Sequence, residues 1–267
     1  MRSLAELQRL DGRVALITGA GGHLGRAIAA GLTEMGASLV LVDRDPAAVE
    51  AAASEVAAAG GAAPVAIDLD LTDEGAAATL VRAAREAFGR LDILVNNAAL
   101  TGTSGGSGYA VPFAEQSIEA WHAAMDVNLT AAFSLVHAAR DALAEHRVGS
   151  VVNVSSIYGL VGPNLNLYAG TTMGNPAAYA ATKGGLIQLT RYLATVLAPD
   201  VRVNAIAPGG VARGQDAAFV ERYERLTPMG RMATEEDVKG AVAFLASDAS
   251  AYVTGQVLAI DGGWTAW

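Results

Sequence analysis

The chain contains no cysteine, which excludes disulfide bonds and thiolate metal sites. Charged residues fill only 17% of its 267 positions, and no apolar run reaches the roughly 18 residues of a membrane span. Residues 1–11 are polar and lack the apolar core of a signal peptide, so we predict a cytoplasmic protein without membrane contact. The net charge of −9 argues against a nucleic-acid partner, and four scattered histidines predict no metal site.

Lysine is almost absent too, since Lys183 and Lys239 are the only lysines among 18 basic residues. Lys183 stands four residues after Tyr179, which places both side chains on one face of a helix. We predict that Asn175 caps this helix and that Pro176 is its first residue. An ammonium group close to a phenol favours the phenolate, so the spacing predicts a proton-transfer pair with a lowered tyrosine pKa. The same spacing also arises by chance on helix surfaces.

The rest of the chain alternates apolar, β-branched runs with alanine-rich stretches. The predicted strands are Val14–Thr18, Ser38–Val42, Pro64–Ile67, Leu91–Val95, Ser150–Val154, Val201–Ile206 and Gln256–Ile260. The predicted helices lie near 24–36, 46–59, 73–88, 117–146, 177–197 and 235–247. Strands that are apolar on both faces and separated by helices predict a doubly wound α/β fold of Rossmann type, a parallel sheet with helices on both faces. We expect a single domain over 1–267, with 1–11 as an N-terminal extension and extended loops at 100–111 and 160–176.

A glycine-rich turn, Thr18–Gly25, follows the first predicted strand and opens the first helix. Glycines there let the main chain approach a pyrophosphate, and the helix start offers unpaired N–H groups. Asp43 ends the second strand, 18 residues beyond Gly25, where a carboxylate accepts hydrogen bonds from ribose hydroxyls and repels a 2′-phosphate. The pattern therefore predicts NAD rather than NADP. Two alternatives stay open, because Arg44 next to it tolerates a phosphate and an aspartate after a strand also forms turns.

Further motifs occur in order along the chain. They are Asp70-Leu71, Asn96–Ala99, Asn128, Ser155-Ser156 and Pro208-Gly209. Together with the glycine turn, Asp43 and the Tyr179–Lys183 pair, they make the chain resemble the short-chain dehydrogenase/reductase family over essentially its whole length. The resemblance implies a seven-stranded sheet and hydride transfer between a nicotinamide cofactor and a carbinol or carbonyl carbon.

The resemblance also implies a role for each matching position. Tyr179 is the general acid/base, Lys183 lowers its pKa and binds the nicotinamide ribose, and Ser156 holds the substrate oxygen. Asn128 positions a relay water. Neighbours in a strand point to opposite faces, so only one serine of the pair meets Tyr179, and the family spacing to Gly159 favours Ser156 over Ser155. The implied cofactor contacts are Gly19, Gly22, His23, Leu24, Gly25, Asp43, Arg44, Asp70, Leu71, Asn97, Ala98, Tyr179, Lys183, Pro208 and Val211.

Several positions depart from the family pattern. His23 replaces a glycine, and it either crowds or contacts the cofactor or faces solvent. Arg213 replaces a threonine, and it either pairs with an anionic substrate group or is a surface arginine. Ser156 and Tyr179 stand 23 residues apart, more than is usual, because a segment, residues 165–176, is inserted between them. This inserted segment resembles that of dehydrogenases of bacterial surface-glycan and flagellin-glycan biosynthesis. It implies a sugar-like or nucleotide-linked substrate. Residues 212–228 are expected to form a mobile flap over the substrate.

Two predicted helices, 117–146 and 177–197, are apolar on more than one side, which favours burial against a second copy. Family members pair these helices, so we expect a dimer or tetramer, with the tryptophan-rich tail near a partner; a monomer is the alternative. The predicted function is NAD(H)-dependent oxidation of a secondary alcohol, or reduction of the ketone, with a sugar or polyol as a candidate substrate. The alternatives are an NADP-dependent ketoreductase and a cofactor-binding protein without turnover.

Overall fold

A seven-stranded parallel sheet forms the centre of the computed structural model, which describes residues 1–171 and 173–267, apart from the side chain of Thr103. The strands are β1 (Val14–Thr18), β2 (Ser38–Asp43), β3 (Val65–Asp68), β4 (Ile93–Asn96), β5 (Gly149–Val154), β6 (Val201–Pro208) and β7 (Val257–Ile260). Their order across the sheet is β3-β2-β1-β4-β5-β6-β7, and each neighbouring pair is parallel. The predicted doubly wound fold is confirmed, with strand bounds shifted by up to two residues.

Helices connect the strands and cover the sheet. They are α1 (Leu4–Gln8), α2 (His23–Glu34), α3 (Pro46–Ala58), α4 (Ala76–Phe88), α5 (Ile118–Met125), α6 (Ala131–Ala144), α7 (Ala177–Val196), α8 (Ala217–Leu226) and α9 (Glu235–Ala246). A π-helical turn, Asp126–Thr130, joins α5 to α6, so the helix predicted over 117–146 is continuous but locally widened. The sequence patterns predicted neither α1 nor α8.

Two hydrophobic cores lie on opposite faces of the sheet, because successive strand residues point to opposite sides. Ala15 and Ile17 of β1 pack in the core with α2, α3 and α9, while Val14 and Leu16 pack in the core with α4, α6 and α7. Every residue of β1, β4 and β5 is buried. The central strands are therefore rigid supports for the loops that leave their carboxyl ends. In the described residues, no helix combines the length and apolar character needed to cross a bilayer.

Candidate active site

The site lies at the carboxyl edge of the sheet, where the strand order reverses between β1 and β4. Such a reversal opens a crevice, since the connections after the two strands leave in opposite directions. Asn97, directly after β4, spans this crevice: its side-chain amide donates to the carbonyls of Thr18 (2.9 Å) and Gly19 (3.0 Å). The Thr18 hydroxyl in turn accepts from the main-chain N–H of Asn97 at 3.0 Å. These bonds fix the two walls of the crevice to each other.

The turn between β1 and α2 depends on glycine. Gly19 has a φ of 63°, in the left-handed region that favours glycine. A Cβ at Gly25 would overlap the Gly19 carbonyl oxygen and lie 2.7 Å from the Cα of Ala20. The tight packing brings the first turn of α2 up to the crevice, where its unpaired N–H groups face an incoming ligand. The turn therefore has the donor set and the space that an anionic pyrophosphate requires.

A cavity of about 270 Å³ opens beside this turn, and we call it the glycine-turn cavity. It brings together eleven of the predicted cofactor contacts. They are Gly19, Gly22, His23, Leu24, Gly25, Asp43, Arg44, Asp70, Leu71, Asn97 and Ala98. Gly19 and Ala98, which lie 79 positions apart in sequence, thus line one continuous surface.

Two carboxylates give the glycine-turn cavity an acidic end. Asp43 ends β2, and its Oδ2 atom accepts from the main-chain N–H of Gly21 at 2.9 Å. Asp70 accepts from the Thr72 amide at 2.9 Å and the Thr72 hydroxyl at 2.7 Å. These two bonds, with a smaller contribution from Arg44, hold the pKa of Asp70 below its usual value. The groups present therefore fit the ribose and adenine end of a dinucleotide.

His23 is the first residue of α2 and stands at the rim of the glycine-turn cavity. Its side chain is 66% exposed, and Nδ1 lies 3.6 Å from the Oε1 atom of Glu235. The ring therefore leans towards the start of α9 instead of filling the space of the missing glycine. Of the two readings of this substitution, the geometry favours the solvent-facing one.

A second cavity, of about 480 Å³, lies at the ends of β5 and β6, and we call it the tyrosine cavity. Its lining includes the predicted residues Ser156, Tyr179, Lys183, Pro208 and Val211. It shares five lining residues with the glycine-turn cavity, so the two form one trough. The shared residues are Leu24, Asn97, Ala99, Thr101 and Arg213.

The two neighbouring serines are used differently, as their alternation predicts. The Ser155 hydroxyl donates to the main-chain carbonyl of Lys183 at 2.8 Å and ties β5 to α7. Ser156 lines the tyrosine cavity together with Tyr179, and its hydroxyl accepts from the main-chain N–H of Tyr158 at 3.2 Å. The Ser156 hydroxyl also opposes the rise in the pKa of Tyr179, which favours the phenolate. The structure therefore brings Ser156, and not Ser155, to the tyrosine hydroxyl.

Tyr179 and Lys183 lie one turn apart on α7, with the Lys183 Nζ atom 5.6 Å from the centre of the tyrosine ring. The predicted cap of this helix is wrong. Pro176 has extended backbone and precedes the helix, and the main-chain N–H of Ala177 donates instead to the Gln116 side chain at 3.0 Å. A residue 61 positions away thus closes the helix start, which local sequence signals do not reveal.

The prediction that Lys183 lowers the pKa of Tyr179 is also wrong for the protein without a bound cofactor. Burial raises the pKa of Tyr179, and the groups that oppose it are the Ser156 hydroxyl and the Arg213 charge. The Lys183 ammonium lies against the ring face and donates to the Val154 carbonyl at 2.7 Å. Burial lowers the pKa of Lys183 to about 8, so the group is still mainly charged at neutral pH.

Asn128 lies in the π-helical turn and is buried. It is not among the residues that line the tyrosine cavity. Its Oδ1 atom accepts from the Leu100 amide at 2.7 Å, and its Nδ2 atom donates to the Thr182 hydroxyl at 3.2 Å. Tyr109, which sequence reasoning missed, donates to the Leu100 carbonyl at 2.8 Å. The Asn128 side chain therefore positions the loop after β4 and the residue next to Lys183.

Aromatic side chains wall the tyrosine cavity. The hydroxyls of Tyr158 and Tyr168 lie 2.8 Å apart, and burial raises the pKa of both. Tyr223 stacks on Trp264 with ring centres 4.4 Å apart, and its hydroxyl accepts from the Gly210 amide at 2.6 Å. Burial raises the pKa of Tyr223 to about 12, so all three phenols stay neutral across the physiological range. The wall is therefore apolar with neutral hydroxyls.

The inserted segment is attached to α8, which occupies most of the predicted flap. Tyr168 of the insert packs against Phe219 of α8 with ring centres 5.3 Å apart. Arg222 of α8 donates to the main-chain carbonyls of Leu167 (3.1 Å) and Ala169 (2.6 Å). The insert and α8 thus form a connected cover over the tyrosine cavity. In the part of the chain that the structure describes, no cluster of three metal-ligating side chains occurs.

The chain is similar over most of its length to a protein family and to characterised relatives. A family profile described as Enoyl-(Acyl carrier protein) reductase matches residues 19–265. The galactitol 2-dehydrogenase (L-tagatose-forming) of Cereibacter sphaeroides is 38% identical, with 97% of each chain covered. The inactive 2-(S)-hydroxypropyl-CoM dehydrogenase 2 of Xanthobacter autotrophicus is 40% identical, with 86% of this chain and 96% of that protein covered.

A solved structure agrees with these likenesses. It is a gluconate 5-dehydrogenase from Burkholderia cenocepacia J2315 in complex with NADP and tartrate. It superposes with a TM-score of 0.86 at 32% identity, and the match covers 99% of this chain and 100% of that one.

Proposed function

The chain belongs to the short-chain dehydrogenase/reductase family, and on that premise we propose that the trough transfers a hydride between a nicotinamide cofactor and a secondary alcohol or its ketone. The protein is an NAD(P)-dependent oxidoreductase that acts on a CH–OH group. The observation that carries the proposal is the placement of Ser156, Tyr179 and Lys183 in a cavity continuous with the glycine turn.

In the oxidation direction, the Tyr179 phenolate accepts the substrate hydroxyl proton as the carbinol carbon loses its hydride. The Ser156 hydroxyl donates to the same oxygen and keeps it in place. Lys183 contributes a charge beneath the tyrosine ring, and Asn128 positions the neighbouring turn of α7. When bound, the cofactor supplies the hydride acceptor or donor and, in its oxidised form, a positive ring charge that adds to the charge of Lys183.

The same proposal assigns the trough to the cofactor. The turn at Gly19, Gly22 and Gly25 would hold the pyrophosphate, with the ribose and adenine groups near Asp43 and Asp70. Lys183, Pro208 and Val211 would surround the nicotinamide end. Residues 212–228, which contain α8, would close over both ligands.

NAD is the proposed cofactor, with NADP as the competing candidate. Asp43 supports NAD because its carboxylate, at the edge of the glycine-turn cavity, would accept hydrogen bonds from ribose hydroxyls and would repel a 2′-phosphate. Arg44, exposed beside it, supports NADP, and the Burkholderia gluconate 5-dehydrogenase was solved with NADP. The specificity therefore depends on which of two adjacent charges dominates.

A sugar or polyol is the proposed substrate class. The aromatic walls supply flat apolar surfaces, and Tyr158 and Tyr168 supply neutral hydroxyls that can pair with further hydroxyls of a substrate. The names of the Cereibacter galactitol dehydrogenase and the Burkholderia gluconate dehydrogenase agree with this class.

We also propose a cytoplasmic homo-oligomer, either a dimer or a tetramer. Support comes from large apolar side chains that stay exposed on α6 and α7. They are Phe133 at 46%, Tyr192 at 60% and Val196 at 52%. A second copy seated on this surface would remove them from water. The tail divides, since Trp264 packs inside the chain and Trp267 is 79% exposed.

A second candidate is a cofactor-binding protein without turnover. The name of the Xanthobacter relative, which calls it inactive, favours this candidate at 40% identity. The convergence of Ser156, Tyr179 and Lys183 in one cavity argues against it.

The deciding experiment is oxidation of a panel of polyols, sugars, hydroxy acids and cyclic alcohols with NAD⁺ and with NADP⁺. The proposal predicts formation of reduced cofactor with at least one class of alcohol. The matching ketones are tested with NADH in the reduction direction. If the protein binds NADH but turns over no member in either direction, the result would favour the non-catalytic candidate.

A further inference from the structure

The charges of the tyrosine cavity are all of one sign. Its lining contains two basic side chains, Lys183 and Arg213, and no carboxylate among the described residues. The chain as a whole carries a net charge of −9, so a purely cationic lining runs against its composition. Lys183 is buried and already donates to the Val154 carbonyl. Arg213 is therefore the cation that remains available to a ligand in this cavity.

Arginines elsewhere in the described chain have protein partners. Eleven form ion pairs with carboxylates. Three more, Arg191, Arg202 and Arg222, donate side-chain hydrogen bonds. Within residues 1–171 and 173–267, only the guanidinium groups of Arg44 and Arg213 have neither kind of partner, and both line the trough. This distribution separates the two from ordinary surface arginines.

The main chain around Arg213 is fixed although its side chain is exposed. Its N–H donates to the Gln215 side chain at 2.6 Å, and the Gln215 amide donates back to the Val211 carbonyl at 2.7 Å. Val211 is buried and bridges to Ala233. The loop thus holds the base of Arg213 at the junction of the two cavities, and its charge acts on Tyr179.

Two anions compete for this position, the cofactor pyrophosphate and a group on the substrate. The N–H groups at the start of α2 would already bind the pyrophosphate. A substrate whose hydroxyl lies at Tyr179 extends into a cavity that offers it neutral phenols and one available cation. The substrate is therefore the better match for Arg213.

We propose that Arg213 determines specificity by pairing with a carboxylate of the substrate, so that within the proposed sugar and polyol class hydroxy acids and the matching oxo acids are preferred over neutral members. This inference rests on the proposed dehydrogenase function. The planar guanidinium makes two parallel hydrogen bonds to a carboxylate, which sets the distance between the carboxylate and the reacting carbinol. Arg213 takes no part in bond changes: the carbinol hydride goes to the nicotinamide and the hydroxyl proton to Tyr179.

The test compares each hydroxy acid of a panel with its neutral amide on the same carbon skeleton. For wild type we expect kcat/KM to favour the acid by at least about tenfold, mainly through KM. Arg213→Met should reduce the ratio of kcat/KM for acid over amide to about one. Arg213→Lys should retain part of the preference, because lysine keeps the positive charge but cannot make the two parallel hydrogen bonds of a guanidinium. Arg225→Met is the matched control, since Arg225 lies on α8 and pairs with Glu221 away from the trough. It should leave the preference unchanged.

A binding measurement keeps the inference separate from turnover. Calorimetric titration of the enzyme–NADH complex with tartrate should give binding that Arg213→Met weakens by about tenfold or more, with the Kd for NADH unchanged. Binding of this kind without turnover would contradict the dehydrogenase proposal and support the role of Arg213. An equal loss for acid and amide, or a parallel loss of NADH affinity, would overturn the inference and assign Arg213 to the cofactor.

Discussion

The glycine-turn cavity presents main-chain groups at strand ends, whereas the tyrosine cavity presents side chains from several distant segments. The first depends on Gly19 and Gly25 and on a carboxylate at the end of β2. The second combines Ser156 after β5, Tyr179 of α7, Tyr168 of the insert and Arg213 before α8. A cavity lined by main chain suits a constant ligand, while one lined by side chains can be altered residue by residue. The contrast explains why local sequence motifs identify the family, whereas the choice of substrate depends on side chains from distant segments.

The largest effect should follow from Tyr179→Phe, which removes one hydroxyl from the tyrosine cavity and leaves the glycine turn intact. We expect kcat to fall by about 10²–10⁴-fold, the usual contribution of a positioned acid/base. The Kd for NADH, measured by fluorescence, should stay within about twofold. Tyr192→Phe is the control, because Tyr192 lies on the same helix and is 60% exposed. Equal rates in both variants would remove Tyr179 from its proposed role.

The pH dependence of catalysis should reflect the same hydroxyl. Burial raises the pKa of Tyr179, so the phenol is protonated at neutral pH. Oxidation needs the phenolate, and its kcat/KM should therefore rise by up to about tenfold per pH unit below that pKa. Reduction needs the protonated phenol and should stay level over the same range. A flat oxidation profile from about pH 6 to about pH 9 would contradict the assignment.

The glycine turn can be broken separately. Gly25→Ala forces a Cβ against the Gly19 carbonyl, and overpacking of this kind costs about 1–3 kcal/mol. NADH affinity should fall by about tenfold or more. In Gly240→Ala, the added Cβ on α9 has no described neighbour within 4 Å, and the change should stabilise the fold by about 0.5–1 kcal/mol with affinity unchanged. Wild-type affinity in Gly25→Ala would mean that the cofactor lies elsewhere.

Cofactor choice should respond to one carboxylate. Asp43→Ser removes the charge that repels a 2′-phosphate, and we expect the ratio of kcat/KM for NAD⁺ to NADP⁺ to fall by about tenfold. Asp45→Ser is a matched control, because serine preserves the cap that Asp45 provides to Ala47 and Ala48. If both variants shift the ratio equally, net charge and not ribose recognition sets the preference.

The smallest effect should come from the cover of the tyrosine cavity. Arg222→Met releases the main chain at Leu167 and Ala169 from α8. We expect KM for the alcohol to rise by about fivefold, because two hydrogen bonds at the low end of their range contribute about 1 kcal/mol together. NADH affinity should not change. Arg225→Met on the same helix is the comparison, and an unaltered KM in Arg222→Met would show that the insert does not shape the substrate site.

Local patterns predicted the parts of this molecule that local physics determines. Each of three motifs lies within one strand, turn or helix, namely Thr18–Gly25, Asp43 and the pair Tyr179 and Lys183. Residues of each motif line the trough. The cap of α7 was mispredicted because Gln116 supplies it from 61 positions away. The raised Tyr179 pKa was mispredicted because helix spacing gives the distance between two groups and not their burial.

The hydrogen bonds from Arg222 to the insert were likewise not predicted, since they join two segments more than 50 positions apart in sequence. Contacts of this kind depend on how loops meet in three dimensions. The sequence therefore predicted most of the lining of the glycine-turn cavity, but only a few of the residues that line the tyrosine cavity.

The most direct test of the hydride-transfer mechanism uses NADH carrying deuterium at the transferable position of the nicotinamide. Ketones that match the alcohols of the panel are reduced by the wild-type enzyme, and the products are analysed by mass spectrometry. The mechanism predicts that the product of the wild-type enzyme carries one deuterium on its carbinol carbon. In a parallel reaction of the same duration, the Tyr179→Phe variant should form no detectable deuterated product. Alcohol formed without deuterium at that carbon, or no alcohol from any ketone by an enzyme that binds NADH, would contradict it.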